Sequence, residues 1–260
     1  MAGGAWRSAQ MMPWARLVDL KRIPNRSALE RVAWVGGLTT FFVGGYFGLG
    51  LSRDPASAHE ITTQLDEQIP FIASMVWVYL WAFPCSLFPL FVVRCPRLFR
   101  RSAIAYAVVM AVSFVFFASY PVSSMRLRVD PTTLDLSRPS DWAVSVVYSL
   151  DPPYNLFPSL HIAITALAAF SVRRAAKRFG TAILVSVGFV GVAVCMIKQH
   201  FLLDVFGGLA IATLADNLIL RPYRPPDGAT SAYSWYGQAM YLAFTAIFYA
   251  SFYVAYLSRS

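Results

Sequence analysis

Seven apolar runs, at about 33–51, 70–93, 102–121, 157–172, 181–198, 202–220 and 237–257, dominate this chain and are almost free of charge. A bilayer crossing needs about 20 predominantly apolar residues, within a range of roughly 17–25. A segment in lipid must satisfy its own backbone hydrogen bonds, so runs of this length fold as helices. The expectation is an all-α, polytopic membrane bundle with about seven spans. The fourth run is short and polar at its start, and it is counted because its neighbours support it.

Composition agrees. Of 260 residues, 57% are hydrophobic and 13% charged, and the mean hydropathy is +0.54. A soluble domain carries roughly 25% charged residues, so this chain lacks the polar surface for a water-facing globule. The net charge of +9 raises the possibility of nucleic acid. The basic residues, however, sit in short clusters between apolar runs, as cytoplasmic loops do, and no nucleic-acid partner is expected. Cys85, Cys95 and Cys195 have no paired spacing, so neither a disulfide framework nor a zinc site is expected. No short apolar region with a cleavage site opens the chain, so no removed signal peptide is expected.

The basic clusters alternate. Arg16, Lys21, Arg22, Arg26 and Arg31 precede the first run; Arg94, Arg97, Arg100 and Arg101 join the second to the third. Arg173, Arg174, Lys177 and Arg178 join the fourth to the fifth, and Arg221 and Arg224 follow the sixth. The stretch between the first two runs instead carries Asp54, Glu60, Asp66 and Glu67. Positive-inside counting puts the N-terminus in the cytoplasm and the C-terminus outside. Residues 5–22 mix Trp6, Trp14, Leu17 and Leu20 with basic residues, which suits a helix in the headgroup layer; a frayed tail is the alternative for the first ten. The organisation reads as a cytoplasmic segment 1–32, a membrane domain 33–221, and a cytoplasmic linker with a last span over 222–260. The longest loop, about 122–156, is long enough to be functional or disordered, with a short amphipathic helix expected over Trp142 to Leu150.

Three polar clusters fall at the same, outer, ends of these runs: Tyr120 to Arg126, Phe157 to His161, and Lys198 to Asp204. His200 and Asp204 are four apart, so on a helix they share a face. A carboxylate on one imidazole nitrogen fixes the tautomer and leaves the other free as base or nucleophile. A structural pair capping a helix start is the alternative, but an ionisable pair within a membrane segment is first a functional hypothesis. Pro158 suits the first turn of a helix. The N–H groups of Ser159, Leu160 and His161, with the Ser159 hydroxyl, then form an anion site at the positive end of the dipole. His161 is placed to give a proton to a leaving oxygen. Arg126 and Lys198 are the candidate phosphate clamps; Arg128 rivals Arg126, and snorkelling is the alternative for Lys198. Two histidines, a carboxylate, an anion-binding helix start and cations suit phosphoryl transfer. No acidic cluster has metal spacing, so neither metal nor cofactor is expected.

At these residues the chain resembles the type 2 phosphatidic acid phosphatase superfamily, and within it the branch of inositol phosphorylceramide synthases and their bacterial relatives. Phe-Pro-Ser-Leu-His at 157–161 is similar to the second family motif, and Lys-Gln-His-Phe-Leu-Leu-Asp-Val-Phe-Gly-Gly at 198–208 to the third. The likeness covers about residues 100–220. It implies a six-helix membrane core, with one additional span here. It also implies that His200 is a nucleophile forming a phosphohistidine, that Asp204 orients it, that His161 is the general acid, and that Ser159 and its neighbouring amides hold phosphate. The family's first motif has a lysine ahead of an Arg-Pro pair; here Arg126 is followed by Leu127. Ala193 and Val194 stand where Ser-Arg is common, and Lys198 is the substitute cation. These departures lean toward the synthase-like branch.

The expected activity is removal or transfer of a phosphate-bearing group on a membrane lipid, from a lipid phosphate or polyprenyl diphosphate. Headgroup transfer to a lipid or polyol is the second version. A transporter with a His–Asp relay is the non-enzyme alternative; it predicts polar residues at mid-depth in several spans, and the first three runs have almost none. The compact size and lack of a retention signal point to a bacterial inner membrane, with the site facing outward.

Overall fold

The computed structural model describes residues 27–52, 54–224 and 233–259; the interfacial helix expected over 5–22 lies outside them. The described residues form helices and turns, with isolated bridges and no named strand. The helices are α1 (Ser27–Leu51), α2 (Gln64–Gln68), α3 (Val76–Leu80), α4 (Ala82–Val92), α5 (Pro96–Ser119), α6 (Pro139–Leu150), α7 (Leu160–Ala175), α8 (Lys177–Met196), α9 (Leu202–Ala215) and α10 (Trp235–Leu257).

Among the described residues, six helices are long and apolar enough to cross a membrane: Leu29–Leu51, Ala73–Val92, Pro96–Ser119, Lys177–Met196, Leu202–Leu220 and Trp235–Leu257. Their outward faces carry Val115, Phe189, Phe206, Leu214, Ile247 and Val254, all exposed, an apolar coat suited to lipid and far beyond what a soluble monomer shows. Several helices outrun their apolar runs. α5 begins at Pro96, and α8 at Lys177, because arginine and lysine stems tolerate a helical start while their heads reach the polar layer.

The fourth run differs. It becomes α7, only 16 residues long, shorter than the six helices above. Its position explains its composition. α7 packs against α4, α5, α8 and α9, and Ala163, Ala166, Ala168 and Ala169 are fully buried. A helix enclosed by others needs small residues for close approach, so it reads as weakly apolar. The closest approach is to α9. A Cβ on Gly208 would lie 2.4 Å from the Ser159 carbonyl oxygen and 3.2 Å from Ile162 Cβ. Gly208→Ala is therefore expected to destabilise the protein by about 1–3 kcal/mol through overpacking; thermal unfolding in detergent measures it, and an unchanged midpoint contradicts this packing.

The second run is broken. α3 ends and α4 begins around Trp81, with Pro84 three residues on. Proline lacks the N–H that the Leu80 carbonyl would accept from, and its ring crowds that carbonyl, which kinks the helix. Tyr79, at 0% exposure, sits just before the break.

The basic clusters gather at one end of the bundle. Arg100 pairs with Glu30, Arg174 Nη2 donates to Asp216 Oδ1 at 2.7 Å, and Arg101 to the Ile219 carbonyl at 2.7 Å. Arg31 donates to the Val93 and Arg94 carbonyls at 2.7 and 3.0 Å. At the other end lie the longer connections. His59, Val122 and Asn155 bridge in parallel. The 122–156 segment is structured: the expected amphipathic helix is α6, starting three residues earlier at Pro139. Asp130 caps the turn Pro131–Thr133, and the Thr132 N–H and hydroxyl hold its carboxyl below the ordinary aspartate range.

Candidate active site

α8 ends in a tight reversal that sets up everything downstream. The Gln199 N–H donates to the Val194 carbonyl at 2.9 Å and the Lys198 N–H to the Cys195 carbonyl at 3.1 Å. This is the paired closure of a Schellman turn. Its left-handed residue is Lys198, with φ of 56°, where glycine is usual. Sequence spacing placed Lys198 as a phosphate clamp. In the structure its ammonium donates to the Asp66 and Ile69 carbonyls at 2.9 and 2.6 Å, so it ties this turn to the end of α2.

His200 follows the turn and precedes α9, which starts at Leu202. The expected helical face shared by His200 and Asp204 is thus corrected: His200 is outside the helix. The pair still meets because Asp204, at the third helical position, folds back over the helix start. Its Oδ2 accepts from the Phe201 N–H at 2.9 Å and lies 3.2 Å from His200 Nδ1. Asp204 is 0% exposed and His200 3%. Asp66, also buried, accepts from the Leu202 N–H at 2.8 Å, so two carboxylates fix the first turn of α9 at its positive end.

The helix start at α7 is corrected as well. Pro158 precedes the helix and does not occupy its first turn; Ser159 is the N-cap, its hydroxyl accepting from the Ile162 N–H at 3.5 Å. Serine wins this place because its oxygen supplies an acceptor for an orphan N–H. The Ser159 N–H, expected to be open to an anion, donates to the Asp204 carbonyl at 3.0 Å. The N–H groups of Leu160 and His161 open the helix and have no acceptor within it.

These two helix starts bring the histidines together. His161 Nδ1 lies 3.1 Å from His200 Nε2, and Ser159 Oγ 3.3 Å from the same nitrogen. His161 Nε2 lies 3.0 Å from the Tyr79 hydroxyl. The outcome is one continuous line: Tyr79, His161, His200, Asp204. Of the expected residues, His161, His200, Asp204, Ser159 and Leu160 converge here. Arg126 and Lys198 do not: among the described residues, no hydrogen bond or ion pair joins either cation to the histidines. The Arg126 side chain is 85% exposed and pairs with Glu60 at 3.1 Å. Its rival Arg128 donates to the Tyr148 and Asp151 carbonyls at 2.9 Å each.

Sequence reasoning missed four polar residues here. Tyr79 and Tyr46 were counted as apolar content, although a buried tyrosine needs a partner for its hydroxyl. Asp151 was counted only as loop charge. Tyr46 donates to Asp151 Oδ1 at 2.5 Å, and Gln199 donates to Asp151 Oδ2. Gln199, adjoining His200 in the quoted motif, thereby joins the two halves of the site.

Two surroundings shape access. Val122, Leu156 and Phe201 form a small apolar cluster, with Ile61, Leu127 and Phe157 around it, beside the buried His200. On the other side a cavity of about 460 Å³ has Tyr46, Tyr79, Asp151 and His161 in its wall.

Neither a curated protein nor a solved structure shows a significant match to the chain. The family model of the PAP2 superfamily matches residues 51–218, a stretch that holds both histidines, Asp204 and the loops that place them. On that match, covering more than half of its residues, the chain belongs to the PAP2 superfamily.

Proposed function

We propose that this protein is a membrane-embedded lipid phosphatase or phosphotransferase that works through a phosphohistidine on His200. The observation that carries the reading is the contact of two imidazoles, one backed by a buried carboxylate and the other by a tyrosine hydroxyl. Asp204 holds a proton on Nδ1 of His200, which leaves the Nε2 lone pair for phosphorus. His200 Nε2 attacks phosphorus and the bond to the leaving alkoxide breaks. The bond pair goes to that oxygen, which takes a proton from His161. An acceptor hydroxyl then attacks the phosphorus and gives its proton to His161, while the P–N bond breaks and its electron pair returns to His200 Nε2. The phosphorus enters between the two rings, so they part when substrate binds. Ser159 and the first N–H groups of α7 stabilise charge on the phosphoryl oxygens. Arg126, on an exposed loop and paired with Glu60, is the cation placed to approach the phosphate from outside this constellation; Lys198 would do so only by leaving the Asp66 and Ile69 carbonyls.

In the topology we favour, α7 is a seventh crossing, the basic end faces the cytoplasm, and the site faces outward. The membrane is then a bacterial inner membrane.

Headgroup transfer to an alcohol is the second reading. It is favoured by the burial of His200 beside the Val122, Leu156 and Phe201 cluster, which limits water, and by the departures from the family's motifs at Leu127, Ala193 and Val194. One experiment separates them. Purified protein is offered phosphatidic acid, a polyprenyl diphosphate, and a phospholipid with an alcohol acceptor, each labelled at phosphorus. Free phosphate supports the phosphatase and label on a new lipid the transferase. No product from any of the three contradicts both.

A further inference from the structure

We propose that the cavity beside His161 holds the hydrocarbon chain of the departing alcohol, and that its floor sets the chain length accepted. This rests on the reading of His161 as the group that protonates that alcohol.

The cavity, about 460 Å³, is walled by α1, α3, α4, α5, α6, α7 and α10. Its wall runs from Val35 to Phe47 on α1 and from Phe99 to Met110 on α5. These are twelve and eleven residue steps, or roughly 16–18 Å at about 1.5 Å per residue. That depth is about half of the ~30 Å hydrocarbon core, the share of one leaflet. Polar side chains in the lining find partners within the protein. The Tyr106 hydroxyl donates to the Ser86 carbonyl at 2.8 Å, and the Ser102 hydroxyl to the Leu98 carbonyl at 2.9 Å. A lining that asks for no hydrogen bonds suits an apolar occupant and gives water no partners.

The mouth is asymmetric. His161 and Leu160 line the cavity, whereas His200, Ser159 and Asp204 do not. A chain seated there ends at the acid and not at the nucleophile. The alkyl group thus belongs to the oxygen that leaves, and the phosphoryl group remains on the His200 side. Phe99, Leu90 and Val35 line its far end. Phe99 is held in place by the Arg31 guanidinium, 4.4 Å above its ring. Part of this wall, in α1 and α10, lies outside residues 51–218, whereas Leu90 and Phe99 at its far end lie within them.

The test uses hexadecyl and octyl phosphate with the full-length protein in detergent. Ala103 lines the cavity one turn from Phe99, so Ala103→Phe removes roughly 6 Å of depth. Each methylene denied burial is worth about fourfold. The expected result is a loss in kcat/KM of at least about tenfold on hexadecyl phosphate, with octyl phosphate kept within about twofold. Phe99→Ala, which lowers the floor and keeps the proposal open to refutation where Ala103→Phe fails to fold, shifts the preference to chains longer than those the wild type prefers. Equal effects on both chains, or a wild-type profile in both variants, overturn the cavity assignment. Wild-type protein that turns over one of the labelled lipids above but neither alkyl phosphate also overturns the cavity assignment, whereas turnover of none of them contradicts the phosphohistidine reading itself.

Discussion

His200→Ala is expected to lower turnover by on the order of 10⁴- to 10⁶-fold, the scale on which removal of a covalent nucleophile acts. The size follows from what the residue does at its position. Nε2 is 3.1 Å from the second histidine and Nδ1 is held by Asp204, so no neighbour can take its place without moving the backbone. The fold should survive. His200 lies in a turn whose backbone bonds to Val194 are independent of its side chain. Turnover of whichever labelled lipid the wild type accepts, together with an unfolding curve, checks both halves. A variant that is folded and retains a tenth of wild-type activity removes His200 from the chemistry.

His161→Ala should cost about 10²- to 10⁴-fold, the usual worth of a positioned general acid. The loss should also depend on the leaving group, which separates a chemical role from a structural one. An alkoxide departing from an alkyl phosphate needs the proton. A nitrophenolate departs readily without it. On nitrophenyl phosphate the deficit should shrink to within about tenfold of wild type. Equal losses on the two substrates would assign His161 to holding the site together and not to protonation.

The fold was legible where lipid imposes its own rule. Apolar runs of sufficient length have few alternatives to helix, and α1, α5, α8 and α10 fall within a few residues of those runs. α7 was harder, because a helix surrounded by protein is selected for small residues such as Ala163 and Ala169 and carries little apolar signal. At the site, the residues with scarce chemistry were readable: His161, His200 and Asp204 stood out against apolar neighbours. Their local geometry was not. An interval of four suggested one helical face, but Asp204 instead reaches back to a histidine in the preceding turn. Serine and proline side by side left the helix start ambiguous, and capping by the Ser159 hydroxyl decided it. The cations were least legible. Lys198 and Arg128 sit at the right depth, yet both are occupied by backbone carbonyls, a use of charge that no spacing reveals. Tyr79 and Asp151 required the tertiary fold, since they come from α3 and the end of α6.

Trapping the intermediate tests the account most directly. Wild-type protein is mixed with a lipid phosphate labelled at phosphorus and quenched during turnover, and the labelled residue is identified by peptide mapping. The prediction is an alkali-stable, acid-labile phosphoryl group on His200 that is absent from His200→Ala. Turnover that proceeds with the protein unlabelled, or label on another side chain, would contradict the phosphohistidine at the centre of this account.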